Sequence, residues 1–135
     1  MHGTPIYNLL VLRARDLNRA RTFYRALGME LAQHSHGSGP VHLVSEIEGR
    51  VFEIYPLSDN DVPTSSARIG FAVPSVDDVY QALLAAGGQK VSSPKNSQWG
   101  RRAIVADPDG HRVELTANTT VSRAPGPQNK FGRKR

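Results

Sequence analysis

The 135-residue chain contains no cysteine. That absence excludes a disulfide framework, thiolate-ligated zinc or iron–sulfur sites, and a thiol nucleophile. No apolar run approaches the ~18–20 residues that a membrane-spanning helix requires. The opening residues, Met1-His2-Gly3-Thr4-Pro5, lack the basic start and apolar centre of a secretory signal, so a cytoplasmic protein is expected. Acidic residues are missing from the last fifteen positions, which hold Arg123, Lys130, Arg133, Lys134 and Arg135. The formal net charge of +5 is therefore the charge of that tail, because residues 1–120 carry twelve Lys and Arg against twelve Asp and Glu. With Pro125, Gly126, Pro127 and Gly132 and no periodic apolar face, residues 121–135 read as a basic, disordered tail. The balanced remainder offers no basic surface, so neither a nucleic-acid partner nor a membrane is expected. Recruitment of an acidic partner by the tail is a third, regulatory reading.

What the chain does have is an ordinary globular composition, 39% apolar and 21% charged, and an internal repeat. Leu9–Leu12 is an apolar run followed by Asp16 as a helix cap, an apolar helical face of Ala20, Phe23, Tyr24 and Leu27, and a stop at Gly28. Fifty-nine positions later the pattern recurs. Ile69–Val73 is the run, Ser75 the cap with Asp78 three residues on, Val76, Val79, Tyr80 and Leu83 the face, and Gly87-Gly88 the stop.

Strand signals follow each helix. Val41–Ser45 and Val51–Tyr55 flank a hairpin turning near Glu48-Gly49, which sets His42 opposite Tyr55 and Val44 opposite Glu53. Arg102–Ala106 and Arg112–Thr116 flank the turn Asp107-Pro108-Asp109-Gly110-His111. Met29–His34 and Gln89–Val91 supply a shorter strand directly after each helix. The reading is an α+β fold of two βαβββ modules, residues 6–56 and 67–118, in a single domain of residues 1–120. One helix cannot cover a sheet alone, so the two half-cores must pack together.

These segments resemble the vicinal oxygen chelate superfamily, which includes glyoxalase I, bleomycin-resistance proteins and extradiol dioxygenases. The resemblance rests on Val11–Tyr24, on Phe52-Glu53-Ile54, on Ile69–Val76, and on Trp99-Gly100 through Leu115. It implies curved mixed sheets around a ligand cup, and a homodimer. It also implies where a metal would be held, on the first and last strand of each module. The last-strand positions are Glu53 and Glu114, and alternation turns both to the concave side if Phe52, Ile54, Val113 and Leu115 face the helices. The first-strand positions, where relatives typically carry His, are Leu9 and Arg68. Two carboxylates alone hold zinc or iron weakly, so no metal or other cofactor is expected; a divalent ion would need Glu53, Glu114 and His42.

Without a metal, Arg68 becomes a clamp for a substrate carboxylate or enolate oxygen, and Glu53 or Glu114 a proton-transfer group. The plainer alternative is an internal ion pair that holds the two halves in register. Tyr55 and Trp99 are candidates for an aromatic ligand wall. Arg101 and Arg102 follow Trp99, and alternation sends one of them inward; with Arg101 in that place the cup favours an anionic guest. His42 and Glu53 share a face in this register. His34 and His36 form an H-x-H in a Ser/Gly-rich loop, which without a third ligand reads as solvated, and His111 reads as structural or exposed. A binding protein for a small, anionic organic molecule is one outcome; a metal-dependent lyase, isomerase or dioxygenase is the other.

Overall fold

The computed structural model describes residues 3–118; the tail at 121–135 and His2 lie outside them. Asp16 accepts the Arg19 N–H and Ser75 accepts the Asp78 N–H, so each helix begins with an orphan donor satisfied by its cap. Gly28 and Gly87 both take positive φ, 116° and 103°, where a side chain would be strained. The helices are α1, Leu17–Leu27, and α2, Val76–Ala85. Around them run β1 (Leu9–Ala14), β2 (Ala32–His34), β3 (His42–Ile47), β4 (Arg50–Pro56), β5 (Arg68–Val73), β6 (Gln89–Ser97), β7 (Gly100–Ala106) and β8 (Arg112–Ala117).

Two mixed four-stranded sheets result, ordered β1-β4-β3-β2 and β5-β8-β7-β6. In each, the first and last strand of a module pair in parallel, and the chain between them runs through the helix and the two other strands. The β3–β4 hairpin turns at Glu48-Gly49, with Val44 opposite Glu53 as expected. Glu48 at φ 53° and Gly49 at φ 81° are both left-handed, as a two-residue hairpin turn of this twist demands.

Two strands depart from the sequence reading. Only Ala32–His34 pairs after α1, because Met29 and Leu31 are spent as buried core anchors. After α2 the strand runs to Ser97 rather than stopping near Val91, with register shifts on either side of Ser92. It is an edge strand, where bulges and Pro94 do not break a ladder on both sides.

Both helices and one face of each sheet share a single core, including Leu12, Phe23, Ile54, Leu83, Val105, Val113 and Leu115. Gly88 is the close approach: a Cβ there would stand 2.6 Å from Val105 Cγ1 and 2.8 Å from Phe23 Cε1. The polar joint between modules is Asp107, which is 3% exposed. Its carboxylate accepts the Tyr24 hydroxyl (2.6 Å), the His111 ring Nδ1 (2.8 Å) and the backbone N–H groups of Asp109 and His111. Burial alone would push this carboxyl up, but the hydrogen bonds from His111 and Tyr24 and the His111 charge outweigh it and hold the group below its ordinary value. His111 Nε2 continues the chain to the Thr64 hydroxyl at 2.7 Å, which also accepts the Arg13 backbone N–H. His111 is thus buried and structural.

Candidate functional site

Since one face of each sheet is committed to the core, alternation leaves the other face for chemistry. On the β1–β4 sheet that face carries Leu9, Val11 and Arg13, with Glu53 and Tyr55 beside them and Val44 and His42 beyond. Leu9 is an apolar side chain left 55% exposed. At one end of the face a row crosses all four strands. Arg13 is in register with Tyr55 and lies 5.5 Å over its ring. Tyr55 stacks on His42 at 4.1 Å and 6°, and His42 is in register with His34. His42 therefore sits on the Glu53 face, and its neighbours bury it to 1% exposure.

On the β5–β8 sheet the open face carries Arg68, Gly70 and Ala72, then Arg112, Glu114 and Thr116, then Arg102, Ile104 and Ala106. Glu114 is buried there, and its carboxylate meets Arg102 Nε at 3.2 Å and Arg68 Nη1 at 3.8 Å. Among the described residues of these strands three guanidinium groups thus share a face with one carboxylate, and that carboxylate is already engaged. Gly70, in register with Glu114, leaves open space where a side chain would stand.

Two expectations change. The Arg68–Glu114 pair lies within one sheet, so it does not hold the two halves in register; Asp107 and Thr64 do that, through bonds to Tyr24 and Arg13. Arg101 does not face the cup: it forms a two-bond pair with Asp77 of α2 at 2.8 and 3.0 Å. The inward position belongs to Arg102, whose Nε meets the Glu114 carboxylate on the open face. His34 and His36 are exposed, as expected of the loop, yet their rings lie 6.3 and 5.6 Å from that of His42. Trp99 occupies the β6–β7 turn, 42% exposed, with its backbone N–H on Ser97 Oγ. Asp107 was the residue that sequence reasoning took only for a turn former; its pairing with Tyr24 spans 83 positions and has no local signal.

Residues 6–115 match the Glyoxalase/Bleomycin resistance protein/Dioxygenase superfamily. The chain belongs to this superfamily. It is 28% identical over 127 residues to a probable lactoylglutathione lyase of Vibrio parahaemolyticus, covering 83% of this chain and 90% of that protein. Among solved structures it is similar to a glyoxalase-related enzyme from Fulvimarina pelagi, with a TM-score of 0.69 and 23% identity over 85% of this chain and 89% of the other. It is also similar to TnmS3, an antibiotic binding protein from Streptomyces sp. CB03234, with a TM-score of 0.66 and 24% identity over 88% and 100%. These last two likenesses speak for the fold. The scaffold therefore serves both enzymes and binding proteins, and the side chains of the open faces must decide between them.

The metal positions that the superfamily resemblance implies fit this chain poorly. Leu9 offers no donor atom. Arg68 is a permanent cation bonded to Glu114, one of the two carboxylates that an ion would need. Among the described residues no helix is long and apolar enough to cross a membrane.

Proposed function

We propose that this chain binds a small anionic organic molecule in a cup, without a metal at the superfamily's position. The observation that carries the reading is the open face of the β5–β8 sheet, where Arg68, Arg102 and Arg112 outnumber Glu114. Such an excess of fixed positive charge on a partly sheltered surface attracts a carboxylate, phenolate or enolate. Leu9, Val11 and Tyr55 on the other sheet suit the apolar body of such a guest. Among the described residues Leu9, Val11 and Arg68 stay exposed on these faces, which supports a homodimer in which the face of one sheet meets its counterpart from a second copy.

Trp99 is the chain's one tryptophan, so its fluorescence reports on the turn beside the cup. Titration with a panel of aromatic carboxylates is expected to give saturable quenching that Arg102→Ala weakens. The enzymatic alternative, a metal-dependent lyase, isomerase or dioxygenase, draws on the superfamily and on the name of the Vibrio relative, a probable lactoylglutathione lyase. Stoichiometric metal that disappears in Glu53→Ala and in Glu114→Ala would establish that alternative and overturn the binding-protein reading.

A further inference from the structure

We propose that His34, His36 and His42 form a site for a divalent transition-metal ion, on β2, β3 and the loop between them rather than at the superfamily positions. The inference is independent of the anion-binding reading, because none of the three belongs to the arginine-bearing sheet.

The starting point is an unsatisfied atom. His42 Nδ1 lies 3.2 Å from the Pro40 carbonyl oxygen. A carbonyl only accepts, so Nδ1 is the donor, and in the neutral ring Nε2 keeps its lone pair. Nε2 is buried and, among the described residues, has no hydrogen-bond partner. A buried acceptor left unpaired costs free energy, and the arrangement has a familiar use: a metal-binding imidazole donates its other N–H to a carbonyl, which fixes tautomer and ring orientation. Tyr55 stacked on one side of the ring restricts it further.

The second observation is the company this ring keeps. His34 stands across from His42 in the β2–β3 register, and the His36 ring, on the loop after β2, has its centre 5.6 Å from that of His42. The three ring centres are separated by 5.6, 6.3 and 6.3 Å. Metal–nitrogen bonds of ~2.0–2.1 Å put the centres of imidazoles sharing one ion about 5 Å apart. As they stand, the described residues contain no ready-made group of three donors; the rings must close by about 1 Å, on the metal–nitrogen lengths just given. His34 and His36 are exposed and free to turn, and Gly37 and Gly39 lie in the loop that carries His36. Three neutral nitrogen donors select zinc, cobalt, nickel or copper over magnesium or calcium. The fourth position is left to water or to an oxygen of a bound molecule.

The test uses the untagged full chain, stripped with a chelator and titrated with cobalt(II) and then zinc(II). The expected result is one equivalent of cobalt with the visible bands of a low-coordinate site, displaced by zinc. His34→Ala and His36→Ala alter exposed side chains and keep the fold. Each is expected to weaken binding at least as much as the ~10–100-fold that outer-shell changes cost, while Glu53→Gln and Glu114→Gln leave it unchanged. Absence of stoichiometric binding, or binding retained in either histidine variant, overturns the site. Binding lost in the glutamate variants instead assigns the ion to the superfamily position and overturns both this site and the metal-free reading.

Discussion

Deleting one oxygen, in Tyr24→Phe, tests whether Asp107 joins the two modules. The Tyr24 hydroxyl and the Asp107 carboxylate are 2.6 Å apart with both residues buried, the length of a charge-assisted O–H···O bond. Hydrogen bonds to charged groups contribute ~1.5–3 kcal/mol. The carboxylate keeps its bonds from His111 and Asp109 in the variant, so no charge is orphaned and the loss stays near ~2 kcal/mol. At this chain length that corresponds to a Tm lower by about 8 °C. Urea denaturation measures the difference, and pH fixes its origin. Asp107 is held below its ordinary value in the fold, so its stabilisation is complete above the unfolded value of ~3.9 and is lost as pH falls from there through the lower folded value. Burial, then Asp107, pushes the Tyr24 hydroxyl well above its ordinary value. Wild type therefore loses the Tyr24 contribution as pH rises past ~10, and Tyr24→Phe has none to lose. The gap between the two proteins should be flat across neutral pH and narrow at both ends. A double-mutant cycle with Asp107→Asn should give a coupling above ~1 kcal/mol. A gap under ~0.5 kcal/mol at neutral pH, the level of an ordinary surface change, or an additive cycle, would refute the assignment.

The remaining expectations concern the turn and the open faces. Glu48 holds a left-handed φ of 53° that costs a side-chain-bearing residue ~1–2 kcal/mol; Glu48→Asn, suited to this turn, should raise stability in urea by ~0.5–1 kcal/mol. Glu114→Gln keeps an acceptor for Arg102 while removing the buried charge, so its stability should stay within ~1 kcal/mol of wild type. Its affinity for aromatic carboxylates, read from Trp99 fluorescence, should rise severalfold because Arg68 and Arg102 are no longer neutralised. Leu9→His combined with Arg68→His supplies imidazoles at the two first-strand positions and removes one cation from Glu114. This variant should gain metal that is sensitive to Glu53→Ala, detected by elemental analysis of the purified protein.

Most of the fold was legible because it is specified locally. A two-residue turn at Glu48-Gly49 fixes the β3–β4 register, and that register alone carries His42 to Tyr55 and Glu53 to the open face. Helix caps at Asp16 and Ser75 were readable for the same reason. The misread parts depend on distant partners. Arg101 turns toward Asp77 because α2 lies beneath that parity of β7, and alternation cannot tell which parity that is. The strand through Pro94 has no apolar alternation because only one of its edges is paired. The third histidine for the H-x-H pair comes from the next strand, brought there by a loop whose path no short-range pattern encodes.

The same parity argument explains why a lyase among the relatives does not decide what this chain does. Along the strands that line the core one set of side chains, including Phe52, Ile54, Val113 and Leu115, faces inward, and changing those costs kilocalories. The alternate set carries the chemistry, and its outer members are cheap to change. Leu9 is 55% exposed, and the Arg68 side chain is 39% exposed. Substitutions at such sites shift stability by only about 0.5 kcal/mol. A lineage can therefore exchange an ion-gripping histidine for Leu9 or Arg68 while Tyr24, Asp107 and the core remain untouched. The set that makes the fold can stay while the open faces change, and in this chain the open face of the β5–β8 sheet carries Arg68, Arg102 and Arg112.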